Sequence, residues 1–227
     1  MTNHSPDTAI AQILTAALPH VAFDGWSQAT LDAALRDTGH AKALGMGLFP
    51  RGGVDLALAY HRAGDAQLCD VIAAQGNSNL RYRDRVAQAV RLRLQLGDKD
   101  AVRKASALFA LPRYAPEGAA LIWGTADAIW DALGDTSRDV NWYSKRATLA
   151  AVYSSAVLYW LGDASVGDAD TAAFIDRRID NVMQFEKCKA DIRQNRLAQA
   201  VMAGPLKILQ RISAPEQRQD LPGQINR

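Results

Sequence analysis

The sequence predicts an all-α protein, and three observations support this prediction. Nearly every segment repeats its apolar residues with helical spacing. No stretch alternates apolar and polar residues for long enough to make a convincing strand. Prolines, glycines and capping serines separate the helical segments. With 227 residues, of which 48% are hydrophobic and 22% charged, the chain can bury a sizeable core as an ordinary globular protein.

Three helices are predicted in the first unit, residues 1–53. Ser5 caps the first helix, and we expect Pro19 to end it, because proline lacks a backbone N–H and clashes with the preceding turn. Ser27 caps the second helix, which Gly39 ends. A short helix over residues 40–48 follows. The order helix, glycine turn, short helix predicts a helix-turn-helix shape.

Longer helices follow in the second unit, residues 54–186. The segment between Arg81 and Arg93 is rich in arginine but keeps an apolar seam of Val86, Val90 and Leu94. We therefore interpret its arginines as a solvated helix face.

Two later helices of this unit carry four of the five tryptophans. Their apolar faces mix large aromatic and small side chains, which suits a long, apolar and thinly filled pocket. From these residues alone a plain packed core is the favoured interpretation, since alanine and tryptophan also fill a bundle together; the resemblance described below favours the pocket. A third helix, from 169 to about 185, is expected to cover them. The candidate lining residues are Ile122, Trp123, Ala126, Ile129, Trp130, Val152, Tyr153, Ala156 and Trp160.

No catalytic residue, metal ligand or cofactor site is predicted. The four histidines lie in the first third of the chain and have none of the spacings of a metal site, and the two cysteines are far apart. Glycine-rich phosphate loops and nucleophile elbows are absent from the sequence. Asp127 and Asp131 could form an acid/base pair, but we favour the polar side of an amphipathic helix. We therefore expect a protein that is not an enzyme.

Charge and hydropathy bound the setting of the protein. A net charge of +2 gives no reason to expect nucleic acid as a partner. The first residues lack the pattern of a signal or transit peptide, and no window approaches a membrane-spanning run. These observations predict a cytoplasmic protein whose membrane contact, if any, is peripheral.

The segment 187–213 is predicted to form a basic amphipathic helix. Cations beside an apolar face suit a helix that lies in the headgroup plane of a membrane. Packing of this helix on its own bundle remains open, and residues 214–227 are predicted to be disordered. The candidate membrane-binding residues are Val201, Met202, Leu206, Lys207, Leu209, Arg211 and Ile212.

Trp142 and Tyr143 stand at a predicted helix entrance just after a polar loop. Aromatic residues in such positions are typical interaction anchors. The alternative is a staple that packs the loop onto its own helix. Because neighbours on a helix point in different directions, we expect at least one of the two side chains to be exposed.

Several stretches carry a resemblance to known families. Residues 10–60 resemble the N-terminal domain of the TetR family in the order of helix, GW, SQATLDAALRDTG, short helix and FP exit. GWSQATLDAALRDTG, LFPRGGVDLALAYH, DVNWYSKRATLAAVYSSAVLYWLGD and FIDRRIDNVMQFEK resemble the Coq-nine family, the TetR-like lipid-binding accessory proteins of ubiquinone biosynthesis.

The resemblance implies a TetR-like helical homodimer that binds an isoprenoid or a phospholipid. It implies that the protein presents a quinone precursor to a di-iron hydroxylase, and that Trp142 and Tyr143 form the hydroxylase-binding patch. It further implies that the C-terminal amphipathic helix docks on the inner face of the membrane.

The alternative hypothesis is a TetR-type repressor that responds to a ligand. Such a protein needs cations and hydroxyls where the second helix of the motif meets DNA. The segment HAKALGMGLFPRGG supplies Lys42 and Arg51, while Met46 and Leu48 stand where that family usually has an aromatic residue and a histidine. We therefore do not expect nucleic acid as a partner.

Overall fold

The computed structural model describes residues 5–76 and 80–194, without the side chains of 183 and 185–194. The described residues form nine α-helices and one 3-10 turn and contain no strand, so the all-α prediction is confirmed. The elements are α1 (Pro6–Asp24), α2 (Gln28–Thr38), α3 (Lys42–Leu48), α4 (Gly53–Gln75), α5 (Tyr82–Gln95), α6 (Lys99–Phe109), α7 (Ala115–Ala132), α8 (Val140–Gly162), the 3-10 turn (Val166–Asp168) and α9 (Ala169–Gln194).

Helix α1 continues through Pro19, so the expectation that this proline ends the helix was wrong. Pro19 removes the N–H that would bond the Thr15 carbonyl, one turn earlier. Both residues are exposed, and water can therefore bond that carbonyl instead. The helix ends at Gly25, whose φ of +64° is readily adopted by glycine.

The caps of α2 follow the sequence prediction. Ser27 Oγ accepts a hydrogen bond from the N–H of Thr30 at 3.2 Å, and Gly39 adopts a left-handed φ of +68°. Helix α3 then lies close to α2, because Gly45 is buried against the side chain of Leu35. The first three helices therefore have the helix-turn-helix order that the sequence indicated.

Helix α6 joins the N-terminal unit to the rest of the molecule. Trp26 is buried, and its indole N–H donates to the carbonyl of Ala101 at 2.9 Å. The Trp26 ring also lies 5.2 Å from that of Tyr60 on α4. Residues before Gly53 thus share one core with α4 and α6, although they are far apart in sequence.

The second core lies among α5, α7, α8 and α9. Our interpretation of the α5 arginines as a solvated face was wrong for three of them. Arg83 and Arg91 pair with Asp180 and Asp176 of α9, and Arg93 is only 4% exposed. The cause is the packing of neighbouring helices: two aspartates of α9 lie one turn apart facing α5, and Asp65 of α4 pairs with Arg93 at 2.7 Å.

Helix α9 runs without a break across residue 187, where the sequence suggested a new helix, and continues to Gln194. The seven candidate membrane-binding residues, from Val201 to Ile212, and the segment 214–227 lie outside the described residues. None of the described helices is both long and apolar enough to cross a membrane.

The start of α4 gives a test of how tightly this helix packs against the segment between α1 and α2. A Cβ added at Gly53 would collide with the backbone of Trp26 and Ser27, whereas one added at Gly124 in α7 would meet only open space. We expect Gly53→Ala to lower the free energy of unfolding by about 1–3 kcal/mol. Gly124→Ala, the matched control, should raise it by about 0.5–1 kcal/mol, because alanine favours a helix. Urea unfolding of both variants measures this, and equal effects would contradict the packing described.

Candidate functional site

The first candidate site is a cavity of about 260 Å³ bounded mainly by α4, α6, α7 and α8, which we call the α6 cavity. Small residues such as Ala105, Gly118 and Ala119 leave the space open, and aromatic and aliphatic side chains form its walls. The residues that line it are Tyr60, His61, Arg93, Val102, Ala105, Ser106, Phe109, Ala110, Ala115, Gly118, Ala119, Leu121, Ile122, Tyr153, Ser154, Val157 and Leu158.

The polar end of the α6 cavity is built around a buried ion pair. Arg93 Nε donates to Asp65 Oδ1 at 2.7 Å, and Arg93 Nη2 donates to the carbonyl of His61 at 2.9 Å. Gly64 makes room for the guanidinium, since a Cβ there would come within 2.9 Å of it. The carboxylate of Asp65 cancels the charge of Arg93, so this end of the cavity offers no free cation.

His61 completes this polar end in its neutral form. Burial, followed by the charge of Arg93, lowers the pKa of His61 to about 4. The Thr125 hydroxyl donates to Asp65 Oδ1 at 2.9 Å and lies 2.8 Å from His61 Nε2, so His61 Nε2–H is the donor in the second contact. Burial also raises the pKa of the Tyr153 phenol. The cavity therefore suits an apolar ligand with neutral oxygens better than an anion.

A second cavity, of about 230 Å³, lies among α5, α7, α8 and α9, and we call it the α9 cavity. Trp130 forms part of its wall, with Tyr82 stacked at 5.8 Å between ring centroids and the Lys145 ammonium 5.6 Å from the ring centre. The lining residues are Tyr82, Arg83, Val86, Trp130, Asn141, Ser144, Lys145, Thr148, Leu149, Val152, Ile179 and Val182.

The nine predicted lipid-lining residues do not meet in one cavity. Ile122 and Tyr153 line the α6 cavity, whereas Trp130 and Val152 line the α9 cavity. The other five line neither. Four of them are buried in the core that α7 and α8 share, where the Trp160 N–H donates to Asp168 at 2.9 Å, and Trp123 lies against Trp142 at 6.1 Å between ring centroids. Those five are Trp123, Ala126, Ile129, Ala156 and Trp160.

Between α7 and α8 lies a buried arginine surrounded by carboxylates. Arg146 of α8 is 1% exposed. Its guanidinium pairs with Asp127, with Asp131 Oδ1 at 2.8 Å and with Asp135 Oδ2 at 3.3 Å. Asp127 and Asp131 are thus more than a solvated helix face: with Asp135, they bind one guanidinium from the next helix. We call these four residues the Arg146 cluster.

Two carboxylates of the Arg146 cluster, those of Asp131 and Asp135, have pKa values that are shifted in opposite directions. Burial, followed by the charge of Asp127, raises the pKa of Asp131. Burial acts in the same direction on Asp135, but hydrogen bonds from Lys145 and Ser137 outweigh it and hold its pKa below the usual range. The Asp135 side chain is only 3% exposed, and its Oδ1 lies 2.6 Å from Lys145 Nζ, so its ionised form is the one that the fold stabilises.

The Arg146 cluster also positions the predicted partner patch. The Arg146 guanidinium lies 4.0 Å from the centre of the Trp142 ring, and this ring lies 6.1 Å from that of Trp123 and 4.7 Å from that of Tyr143. Trp142 and Tyr143 are both half-buried, so the expectation that one would be exposed was wrong. Stacking on Arg146 and Trp123 covers part of the surface that the helix position alone would leave open.

The sequence reasoning missed Arg93 and Arg146. A signal for Arg146 was present in the sequence, because aspartates recur at intervals of four residues, at Asp127, Asp131 and Asp135. This spacing places the first two on one face of α7 and the third just beyond its end, and it could have indicated a cation opposite them. His61 and Asp65 have the same spacing. The described residues contain no group of histidine, cysteine and acidic side chains that could hold a metal ion.

Comparison with known proteins shows similarity to one family. A family model described as COQ9 matches residues 115–186, which include α7 and α8. Ubiquinone biosynthesis protein COQ9, mitochondrial, of Drosophila melanogaster is 32% identical over 186 residues, which are 79% of this chain and 57% of that protein. The protein of the same name in Homo sapiens is 29% identical over 183 residues, with shares of 77% and 57%.

A further relative is the probable ubiquinone biosynthesis protein coq9, mitochondrial, of Dictyostelium discoideum. It is 29% identical over 191 residues, which are 81% of this chain and 62% of that protein. The chain thus spans less than two thirds of the length of these relatives.

The Arg146 cluster gives a test based on pH. Because the pKa of Asp135 is lowered in the folded protein, its stabilising effect is complete above about pH 4 and is lost as the pH falls through the folded pKa. Asp135→Asn should therefore lower the free energy of unfolding at pH 7, by about 3 kcal/mol for a broken buried pair. This loss should shrink as the pH falls toward 3.

Asp131→Asn is the matched control for that test. The raised pKa of Asp131 means that its ionisation opposes folding, so stability is gained as the pH falls through the raised value. We expect a smaller loss at pH 7 than for Asp135→Asn, and no such gain on acidification. Urea unfolding between pH 3 and 7 compares the variants, and a larger loss for Asp131→Asn would refute this description of the cluster.

Proposed function

The chain belongs to the COQ9 family, and from this premise we propose that it acts in ubiquinone biosynthesis as a non-enzymatic lipid-binding protein. The observation that carries the proposal is the α6 cavity, whose walls are apolar and whose polar end carries no net charge. We propose that this cavity binds an isoprenoid quinone precursor. The names of the relatives, which are ubiquinone biosynthesis proteins, support the same pathway.

The size of the α6 cavity supports an isoprenoid that is only partly enclosed. An apolar cavity of about 150 Å³ can hold benzene, so about 260 Å³ accommodates a ring or a short stretch of chain. At the rim, Leu158 is 68% exposed, and Ala110, Ala115 and Ala119 are exposed as well. A longer tail would leave the cavity across these apolar residues, with its remainder held by a membrane or a partner protein.

We further propose that Trp142 and Tyr143 bind the di-iron hydroxylase that receives the precursor. Arg146 supports this role, because it holds the Trp142 ring in place before a partner arrives. An aromatic residue that is already ordered loses less conformational entropy on binding. Homodimer formation and docking of the segment 187–213 on the inner face of the membrane complete this proposal.

The alternative, a ligand-responsive repressor, is favoured by one observation, the retained helix-turn-helix order of α1 to α3. Its two candidate DNA-contacting cations are poorly placed for that use. Arg51 pairs with Asp55 at 2.7 Å and with Glu117, and Lys42 Nζ lies 3.9 Å from Asp32. Leu44 and Met46 of α3 are exposed where a repressor presents polar groups to DNA. We therefore favour the lipid-binding function.

Lipid extraction tests the proposed ligand. The full chain, purified from hosts that make ubiquinone and extracted for mass spectrometry, should release an isoprenoid quinone precursor. Ser154→Phe places a ring in the α6 cavity and should reduce the recovered isoprenoid by at least fivefold. Thr148→Phe, the matched control on the α9 cavity, should leave it unchanged. Wild-type protein that repeatedly yields no isoprenoid would overturn the proposal.

Replacement of the aromatic pair tests the hydroxylase-binding patch. The double variant Trp142→Ala/Tyr143→Ala should weaken binding to the di-iron hydroxylase of the same source by at least tenfold, because aromatic anchors dominate such interfaces. Phe23→Ala removes a ring that is 88% exposed on α1 and serves as the control. Surface plasmon resonance measures both, with circular dichroism to verify folding. Unchanged binding by the double variant would place the interface elsewhere.

A further inference from the structure

The α9 cavity contains a donor without an acceptor. Trp130 is 8% exposed, and its indole N–H has no hydrogen-bond partner among the described residues. By contrast, the indole N–H groups of Trp26 and Trp160 donate at 2.9 Å to a carbonyl and to a carboxylate. An unsatisfied donor in an apolar environment is unfavourable, and an acceptor atom brought into the cavity would remove this cost.

We propose that the α9 cavity is a second ligand site, which binds a neutral single-ring compound whose carbonyl or ether oxygen accepts a hydrogen bond from the indole N–H of Trp130. The site is separate from the isoprenoid site proposed for the α6 cavity, and either assignment can fail without the other.

The two cavities are independent in their construction. They share no lining residue. Val152 and Tyr153 follow one another on α8, and adjacent helical residues point in different directions, so α8 offers one face to each cavity. On α7, Ile122 lines the first cavity and Trp130, two turns later, lines the second. A ligand in one therefore does not occupy the other.

The size of the α9 cavity sets the size of the ligand. About 230 Å³ exceeds the space of about 150 Å³ that holds benzene, and the difference accommodates a few small substituents. The buried walls are aliphatic, with Val86, Leu149, Val152 and Ile179, while Tyr82 is 43% exposed and marks the open side. A flat ring that enters beside Tyr82 would reach the indole of Trp130.

The charges around the α9 cavity indicate a neutral ligand. Lys145 Nζ lies 2.6 Å from Asp135 and donates to Ser137 at 2.7 Å. Arg83 pairs with Asp180 and, at 3.1 Å, with Asp84. Each cation at the rim thus already has a carboxylate partner, and an anionic ligand would have to displace it. Among the residues that line the cavity, Asn141, Ser144 and Thr148 are polar and uncharged, and Trp130 Nε1 and Arg83 Nε are buried donors without a hydrogen-bond partner, so a neutral ligand with an acceptor oxygen fits the cavity best.

Two matched probes test this proposal on the full chain. Acetophenone carries a carbonyl oxygen, and α-methylstyrene has nearly the same shape with a methylene group in its place. Each is titrated into ¹⁵N-labelled protein, and the indole N–H signals are followed by NMR, with Trp130→Phe identifying the signal of Trp130. We expect acetophenone to move that signal downfield in a saturable manner, and α-methylstyrene to produce no downfield shift.

The affinities give a second measure that does not depend on the assignment of the signal. The preference for acetophenone over α-methylstyrene should fall about fivefold in Trp130→Phe, the factor expected for one neutral hydrogen bond. Thr148→Phe should abolish the downfield shift of the Trp130 signal, while Ser154→Phe, at the α6 cavity, should leave that shift unchanged. The comparison of the two probes on the wild-type protein stands even if a variant does not fold.

Three results would overturn the proposal. The first is equal downfield shifts with both probes, which would mean that the carbonyl does not meet the indole N–H. The second is the absence of saturation, which would mean that the probe has no defined site in the cavity. The third is loss of binding in Ser154→Phe but not in Thr148→Phe, which would move the probes to the α6 cavity.

Discussion

The contact between Arg146 and the aspartates of α7 determines how the second half of the molecule is arranged. A buried guanidinium is tolerated only where carboxylates surround it, since an unpaired charge in the interior is strongly unfavourable. Asp127, Asp131 and Asp135 therefore fix α8 against α7 at one position. That position determines which side chains of the two helices line each cavity. It also determines where Trp142, stacked on the same guanidinium, meets solvent.

A second buried arginine applies the same principle inside the α6 cavity. Arg93 would make this cavity attractive to anions if it were unpaired. Asp65 neutralises it, and His61 remains uncharged because burial disfavours its protonation. The polar end can therefore hydrogen-bond without favouring a negative ligand. Neutrality of this kind suits a quinone precursor with ring oxygens better than a fatty acid or a phosphate, which would require an unpaired cation.

Helix α6 connects the helix-turn-helix unit to the α6 cavity. Ala101, in its first turn, receives the hydrogen bond from Trp26, and Val102, Ala105 and Phe109 of the same helix line the α6 cavity. A shift of α6 on ligand binding would therefore be felt by the first three helices. The protein thus has the physical connection that a ligand-controlled repressor needs. The cations expected to contact DNA are few, however: α3 contains Lys42, and Arg51 is paired with Asp55 and Glu117.

The sequence by itself determined the helical class and most local boundaries, such as the Ser27 and Gly39 caps of α2, because capping and periodicity depend on neighbours within one or two turns. Pro19 escaped this reasoning because its exposed position in the folded helix makes the lost hydrogen bond tolerable. Only the tertiary structure decided the partners of Arg93 and Arg146 and the division of the α7 and α8 residues between two cavities. Both the ion-pair partners and this division depend on how helices distant in sequence are rotated against each other. A periodic pattern identifies the buried face of a helix, but it does not identify the residues of other helices that contact this face.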